Sequence, residues 1–377
     1  MEKVLTNSLS EKAPIPFIPQ KLPFDYTGIL SSNVPLIKLL NDATQAIGEY
    51  KGYLSNVINP SLLISPLINQ EAVISSKLEG THATLEDLLN YDANIQGNVD
   101  RDELKEVANY RKALFYALET ISTISKADRK LPLSGRVIRE MHKILLDNAR
   151  GETKRPGEYK RQQNYIVSAN GVVFTPLPAN LVNDYIDNLE QYIHYEDFNI
   201  LLQTAVIHCQ FEMIHPFEDG NGRIGRLLIP LFLYYRELLP LPTFYMSSYF
   251  NKDRSLYLES LNSVSSSNDW NRWFTYFLNG IIYSSHESTK KAIQINELYE
   301  KMKTKIVSEA HSSHDIPILD YIFEHPVFKA KQISIDLHIN LRTMYTIIRR
   351  LVSEKFITTD GNKRNITYVC IDLIKLL

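Results

Sequence analysis

Six consecutive residues constrain this chain more than any others: Gly220-Asn221-Gly222-Arg223-Ile224-Gly225. They hold three of its 14 glycines and satisfy G-x-G-x-x-G, the turn with which a dinucleotide-binding βαβ unit wraps a pyrophosphate. The pattern carries that meaning only directly after a strand, with an acidic residue about 20 positions further on. Both conditions fail. The preceding segment, Ile200 to Ile214, repeats apolar residues at helical spacing (Leu201, Leu202, Ala205, Val206, Cys209), and positions 239–246 read LPLPTFYM. A doubly wound nucleotide fold is excluded, and the cluster needs another reading.

The remainder of the chain reads as mainly α. Apolar residues recur at helical spacing from Val34 to Leu89, from Asp102 to Ser125, and after Leu131-Pro132-Leu133-Ser134. Further helices are predicted at 179–194, 198–214, 223–237, 253–263 and 268–285, with serine-rich patches at 263–267 and 284–288 as separators. Residues 14–24 carry four prolines and predict an extended arm. One segment differs: β-prone runs flank Asn170-Gly171 between Asn164 and Phe174, a strong hairpin signal. From about residue 315 three short helices (316–324, 331–337, and one capped by Asn340 running to Phe356) precede a hairpin over 357–369. That order resembles a winged helix-turn-helix module. The expected organisation is an N-terminal helical region (1–100), a helical core (101–290), and a linker with the C-terminal module (291–377).

Charge and cysteine usage narrow the function classes. With 41 basic against 43 acidic residues the net charge is −2, which argues against a whole-chain electrostatic grip on nucleic acid or acidic membrane. Two cysteines, Cys209 and Cys370, cannot build a disulfide framework. The first residues, MEKVLTNSLSEKAPIPF, lack the apolar core of a signal peptide, and Leu227 to Tyr235 is too short an apolar stretch to span a bilayer. A cytoplasmic protein without a membrane partner is expected.

Extended leftward, the glycine cluster becomes His215-Pro216-Phe217-Glu218-Asp219-Gly220-Asn221-Gly222-Arg223-Ile224-Gly225-Arg226. Proline at 216 forces position 215 out of helical geometry, so one helix ends there and a loop leads into the next. Gly220 and Gly222 can turn backbone N–H groups into a concave nest at a helix N-terminus, a ready anion site. Arg223 and Arg226 project from one helical face, suited to bidentate phosphate contact. Asp219 is a hard oxygen ligand for a phosphate-bound Mg²⁺. His215 can accept a proton near neutral pH. These residues describe a polyphosphate cradle beside a general base.

The segment resembles the signature of the Fic (filamentation induced by cAMP) family, H-x-F-x-(D/E)-G-N-G-R-x-x-R, at every fixed position. The resemblance implies a Fic-type helical core with one β-hairpin flap, and transfer of AMP from ATP to a Ser, Thr or Tyr hydroxyl of a target protein, which could be the chain itself. It implies that His215 is the catalytic base, that Phe217 anchors the loop, and that Asp219 holds Mg²⁺. Gly220, Asn221 and Gly222 would line the anion hole, with Arg223, Ile224, Gly225 and Arg226 completing the ATP site. Asn164, Asn170 and Gly171 fall at the family's target-docking flap, an edge that pairs with a substrate backbone. Tyr257 and Leu261 resemble its adenine-side segment, although core packing explains Tyr257 equally well. Self-association as a homodimer is also implied.

Ser75-Ser76-Lys77-Leu78-Glu79-Gly80 resembles the family's inhibitory motif, S/T-x-x-x-E-G/N. By that resemblance Ser75, Glu79 and Gly80 form a brake in which Glu79 pairs with Arg226, the arginine the γ-phosphate needs. In some relatives the same glutamate assists AMP removal, so both directions stay open. For the C-terminal module, Arg342, Thr343, Tyr345 and Thr346 can reach base edges while Arg349, Arg350, Lys363 and Arg364 meet phosphates; a protein contact is equally open. A DNA-binding regulator with a nucleotide-sensing core is the alternative from another class. His82 and His142 stand isolated, Cys209 reads as core, and His311 and His314 lack further ligands.

Overall fold

Helices begin where a short polar side chain precedes an apolar period, because its oxygen satisfies N–H groups of the first turn. Asn33, Thr84, Asp100, Asn199, Asp253 and Asn340 all cap in this way. The structure, a computed structural model, describes residues 15–57, 59, 61–95, 99–121, 131–149, 153–168, 171–309, 313–362 and 365–377. Its elements are α1 (Thr27–Ser31), α2 (Val34–Asn56), α3 (Ser61–Leu78), α4 (Leu85–Asp92), α5 (Arg101–Thr120), α6 (Gly135–Leu145), β1 (Ile166–Ser168), β2 (Gly171–Phe174), α7 (Val182–His194), α8 (Ile200–Ile214), α9 (Asn221–Tyr235), α10 (Ser247–Lys252), α11 (Arg254–Ser267) and α12 (Trp270–Glu309). The C-terminal part adds α13 (Asp315–Glu324), β3 (Val327–Lys329), α14 (Ala330–Asp336), α15 (Leu341–Ser353), β4 (Thr358–Thr359), β5 (Thr367–Val369) and α16 (Ile371–Leu376). The fold is mainly α, as the sequence predicts.

Burial sorts the helices. In α8, 13 of 15 residues are buried, so this helix is apolar on all sides and forms the centre of the core. Against it pack α7, α9 and α12. Helix α12 runs for 40 residues, about 60 Å at the usual rise, and α2 lies along it. The N-terminal arm is extended, as expected. Phe17 N–H donates to the Thr175 carbonyl (2.9 Å) just past β2, and Asn188 holds Leu22 through its N–H and C=O (2.9 and 2.7 Å).

Two small antiparallel sheets complete the structure. In the first, Val167 pairs with Val172 and Ser168 with Gly171; Asn170, at the predicted turn, lies outside the described residues. In the second, β5 lies between β3 and β4. Helix α13 packs on both α12 and α3, and Ser65 of α3 donates to the Glu324 carbonyl at 2.9 Å.

One expectation is corrected. The serine patches do not separate helices: α11 continues to Ser267 and α12 passes straight through 284–288. Ser266 and Ser267 satisfy their hydroxyls on carbonyls one turn back (2.7 and 2.8 Å), so serine there costs the helix little. The boundary at 290/291 consequently falls inside α12. Strand β3 was not foreseen; it pairs with β5 through Val327–Val369, a contact 42 residues distant in sequence and therefore without a local signal. Among the described residues no helix is long and apolar enough to cross a membrane.

Candidate active site

Helix α8 ends on His215, whose backbone is left-handed (φ 50°), an uncommon state for a non-glycine residue. Its N–H still closes the helix on the Phe211 carbonyl at 2.9 Å. The imidazole, nearly buried, has Nδ1 3.8 Å from a Glu212 carboxylate oxygen. The loop behind it is held by side chains from four directions. Asn221 accepts from Phe217 N–H (2.8 Å) and donates to Phe217 C=O (2.9 Å). Asn164 donates to the Phe217 carbonyl (2.9 Å) and the His215 carbonyl (3.3 Å). Buried Lys160 donates to Asn164 (2.7 Å) and to the Ile214 carbonyl (3.2 Å). His142 stacks on Phe217 with ring centroids 3.7 Å apart.

His142 also settles its own tautomer. Nδ1 accepts from Gly157 N–H (2.9 Å), so Nε2 carries the proton and donates to the Asp219 carbonyl (2.9 Å). Burial lowers its pKa to about 4 despite the carbonyl partner, which keeps it neutral. Contrary to the expectation from sequence, this histidine is not isolated: it fixes the loop.

Gly220 caps α9 in a left-handed conformation (φ 79°), and the first turn of α9 carries the two arginines. Arg223 is 2% exposed and meets Glu106 of α5 at 3.2 Å and Asp219 at 3.4 Å. Arg226, 4% exposed, reaches Glu79 at 2.6 Å. Its Nε donates to the Ser75 hydroxyl (2.8 Å) and its Nη2 to the Ser75 carbonyl (2.9 Å). Packing raises the carboxyl of Glu79, but the Arg226 and Arg223 charges outweigh it and hold its pKa below the ordinary value. Glu79 sits just past α3, where Gly80 (φ 95°) supplies the left-handed turn that ends the helix. A Cβ on Gly222 would lie 2.3 Å from Glu79 Oε1 and 2.8 Å from Arg226 Nη1. A side chain there would push both groups aside.

The structure thus gathers His215, Asp219, Gly220, Gly222, Arg223, Arg226, Ser75, Glu79 and Gly80 around one helix start. Other expected residues stand apart. Ile224 is fully buried in the core, and Gly225 backs onto Glu212 and Phe211 of α8. Tyr257 is buried and stacked on Phe250 (4.3 Å), with its hydroxyl donating to His208 Nε2 (2.9 Å); Leu261 is half-buried beside the core. Asn164 lies beneath the loop that follows α8, on the carbonyls of His215 and Phe217, rather than on the hairpin, whereas Gly171 opens β2. Sequence reasoning missed Glu106, Lys160 and His208. His208 Nδ1–H donates to the Gly225 carbonyl at 3.0 Å, and burial drives its pKa down to about 3. Among the described residues no group of three or more His, Cys, Asp or Glu could hold a metal ion.

Two family models match this chain: Fic/DOC family N-terminal over residues 37–119, and Fic/DOC family over residues 132–233. The first contains Ser75 and Glu79, the second the loop from His215 to Arg226. A probable protein adenylyltransferase of Aquifex aeolicus is 33% identical over 85 residues, 22% of this chain and 26% of that protein. Protein adenylyltransferase fic-1 of Caenorhabditis elegans is 29% identical over 99 residues, 26% of this chain and 18% of its own length. The matches span about a quarter or less of these curated relatives. A Fic family protein from Desulfovibrio desulfuricans G20 shares the fold, with a TM-score of 0.59 at 18% identity over 90% of this chain and 96% of that one. With both family models meeting on the cluster of α3 and α9, the chain belongs to the Fic/DOC family.

Proposed function

We propose that this protein transfers AMP from ATP to a hydroxyl of a target protein and that Glu79 restrains the reaction. One observation carries the reading: two buried arginines stand one turn apart at the N-terminus of α9, beside His215. Buried cations need anionic partners, and a helix N-terminus reinforces the demand. A triphosphate supplies that charge. Here His215 takes the proton of the attacking hydroxyl, whose oxygen bonds to the α-phosphorus as the bond to pyrophosphate breaks. The N–H groups around Gly220 and Gly222 meet charge developing on the α-phosphoryl oxygens. Arg223 and Arg226 receive the β- and γ-phosphates.

Asp219, one-third exposed, offers the single carboxylate that a phosphate-borne Mg²⁺ ordinarily takes from protein. When bound, such an ion neutralises phosphate charge. Asp219 is presented for it by the His142 contact at its carbonyl. Two buried free thiols, Cys209 and Cys370, favour a reducing cytoplasm. In residues 315–377 the order helix, strand, helix, helix, strand, strand, followed by the short closing helix α16, supports a winged helix-turn-helix. Its outer face on α15 presents exposed Arg342, Tyr345, Thr346 and Arg349 to a partner.

His215→Ala tests the assignment. The variant should lose AMP transfer by two or more orders of magnitude, on the scale of general-base catalysis, about 10²–10⁴-fold. ATP binding should be retained. Transfer preserved in that variant removes His215 from the chemistry.

A further inference from the structure

Helix α3 places Glu71, Ser75 and Glu79 at i, i+4 and i+8, along one stripe. Ser75 and Glu79 grip Arg226; Glu71, one turn earlier, is buried and has no place in the reaction above. Its Oε1 accepts from the Tyr110 hydroxyl of α5 (2.9 Å) and from Ser247 at the start of α10 (2.5 Å). Tyr110 is fully buried. Glu71 thus stands one helical turn from Ser75, the residue whose hydroxyl and carbonyl hold Arg226. On the other side of Glu71 lies a cavity of about 50 Å³ between α3, residues 243–248 and α12. Tyr245 and Ser284 line it with hydroxyls that make no protein hydrogen bond, so the space suits water and gives Glu71 a path for a proton.

We propose that Glu71 is a positioning residue for the Arg226 clamp: through its own charge, one helical turn from the Ser75 that holds Arg226, it sets how firmly α3 keeps Arg226 from an incoming triphosphate. This rests on the reading of Arg226 as a phosphate ligand. Ionised, Glu71 adds a second negative charge on the α3 side of Arg226, reinforcing Glu79 and opposing an anion. Neutral, it keeps its hydrogen bonds but loses that pull. The groups facing it are Arg226 of α9, Tyr110 of α5, Tyr245 and Ser247 ahead of and within α10, Glu79 on α3 itself, and Glu287 and Lys291 of α12 across the cavity. Lys291 is engaged by Gln70 and the Leu377 carbonyl. Burial raises the Glu71 carboxyl to about 7, against the hydrogen bonds from Ser247 and Tyr110 and the Arg226 charge. Its ionisation thus falls in the neutral range, and the clamp tightens as pH rises through it.

The test is ATP affinity of the full chain at pH 6 and pH 8, as the ratio of wild type to Glu71→Gln. ATP's own titration cancels in that ratio. Glutamine retains an acceptor for Tyr110 and Ser247, so the hydrogen bonds survive while the titration does not. We expect wild type to lose about fivefold in affinity relative to the variant between the two pH values, which corresponds to about one pKa unit of coupling for a carboxyl titrating near the middle of that range. A purely structural role would change affinity equally at both, and a constant ratio overturns the proposal. Glu71→Met, a neutral side chain of similar length, removes the same titration and should flatten the ratio likewise; it decides the matter if Glu71→Gln does not fold. AMP transfer by Glu79→Gly is measured alongside. Transfer by that variant with a constant ratio sinks the Glu71 role alone, whereas no transfer with a pH-dependent ratio sinks the adenylyl-transfer reading alone.

Discussion

Replacing Glu79 by glycine should release the enzyme. The contact removed is a 2.6 Å ion pair between Arg226 Nη2 and Glu79 Oε1, with Arg226 4% and Glu79 30% exposed at the side chain. A hydrogen bond to a charged group is worth about 1.5–3 kcal/mol, and the buried guanidinium keeps this one from being screened as a surface pair would be. Arg226 retains both contacts to Ser75 (2.8 and 2.9 Å), so it stays placed when the carboxylate goes. Position 79 lies outside the last helical turn of α3, and glycine there costs the helix little. If the contact restrains productive ATP binding, its loss should raise transfer by about 10- to 150-fold, since about 1.4 kcal/mol is tenfold in rate. The assay is incorporation of label from α-labelled ATP into protein, wild type against Glu79→Gly, at matched concentration and subsaturating ATP. Equal rates, with the variant folded and binding ATP, would refute the brake.

Two further outcomes follow from the same geometry. Gly222→Ala puts a methyl 2.3 Å from Glu79 Oε1 and 2.8 Å from Arg226 Nη1; the Glu79 carboxylate must swing aside, so the variant should accelerate transfer, but by less than Glu79→Gly because the methyl also narrows the nest at the start of α9. The same label-incorporation assay separates the two variants. Acid should destabilise the protein through His208, whose folded pKa is depressed from 6.5 to about 3 by burial. Its contribution is complete above the unfolded value and is lost as pH falls toward the folded one, so about 2 kcal/mol is gone by pH 5. Urea unfolding at pH 7.5 and pH 5 should show a shallower loss for His208→Gln, and an identical loss would exclude this histidine as the cause.

What was legible in the sequence was legible because it is local. His215 to Arg226 lies within 12 consecutive residues, and each carries a property (a proton acceptor, a turn, a cation) that needs no knowledge of the fold. The caps Asn199 and Asn340 act within their own first turns. Glu106 carries no such signal: it neutralises Arg223 across 117 residues, and on α5 it looks like one more acidic residue of a solvated face. His142 reads as isolated because its partners Gly157, Phe217 and Asp219 arrive through tertiary packing. The serine-rich stretches misled for a related reason. Serine breaks helices in isolation by competing for backbone groups, but α12 is held along α2, and that packing outweighs propensity.

The glycine cluster shows how far local meaning reaches and where it stops. From sequence, Gly222 serves a phosphate nest, and nothing nearby suggests a second demand on it. In the fold the Glu79 carboxylate, 143 residues away, occupies the space its Cβ would fill. On the function proposed above, the same absence of a side chain would serve two mutually exclusive occupants, an anionic phosphate chain or the anionic side chain of Glu79. Both would be drawn by Arg226 and the N-terminus of α9, so the two motifs separated in sequence would compete for a single small volume. A carboxylate can imitate a phosphate there because charge and hydrogen-bond acceptance are what the site recognises. Each buried arginine already has an anionic partner in the fold: Glu106 of α5 and Asp219 for Arg223, and Glu79 for Arg226, so of the two it is Arg226 whose partner a phosphate would have to displace.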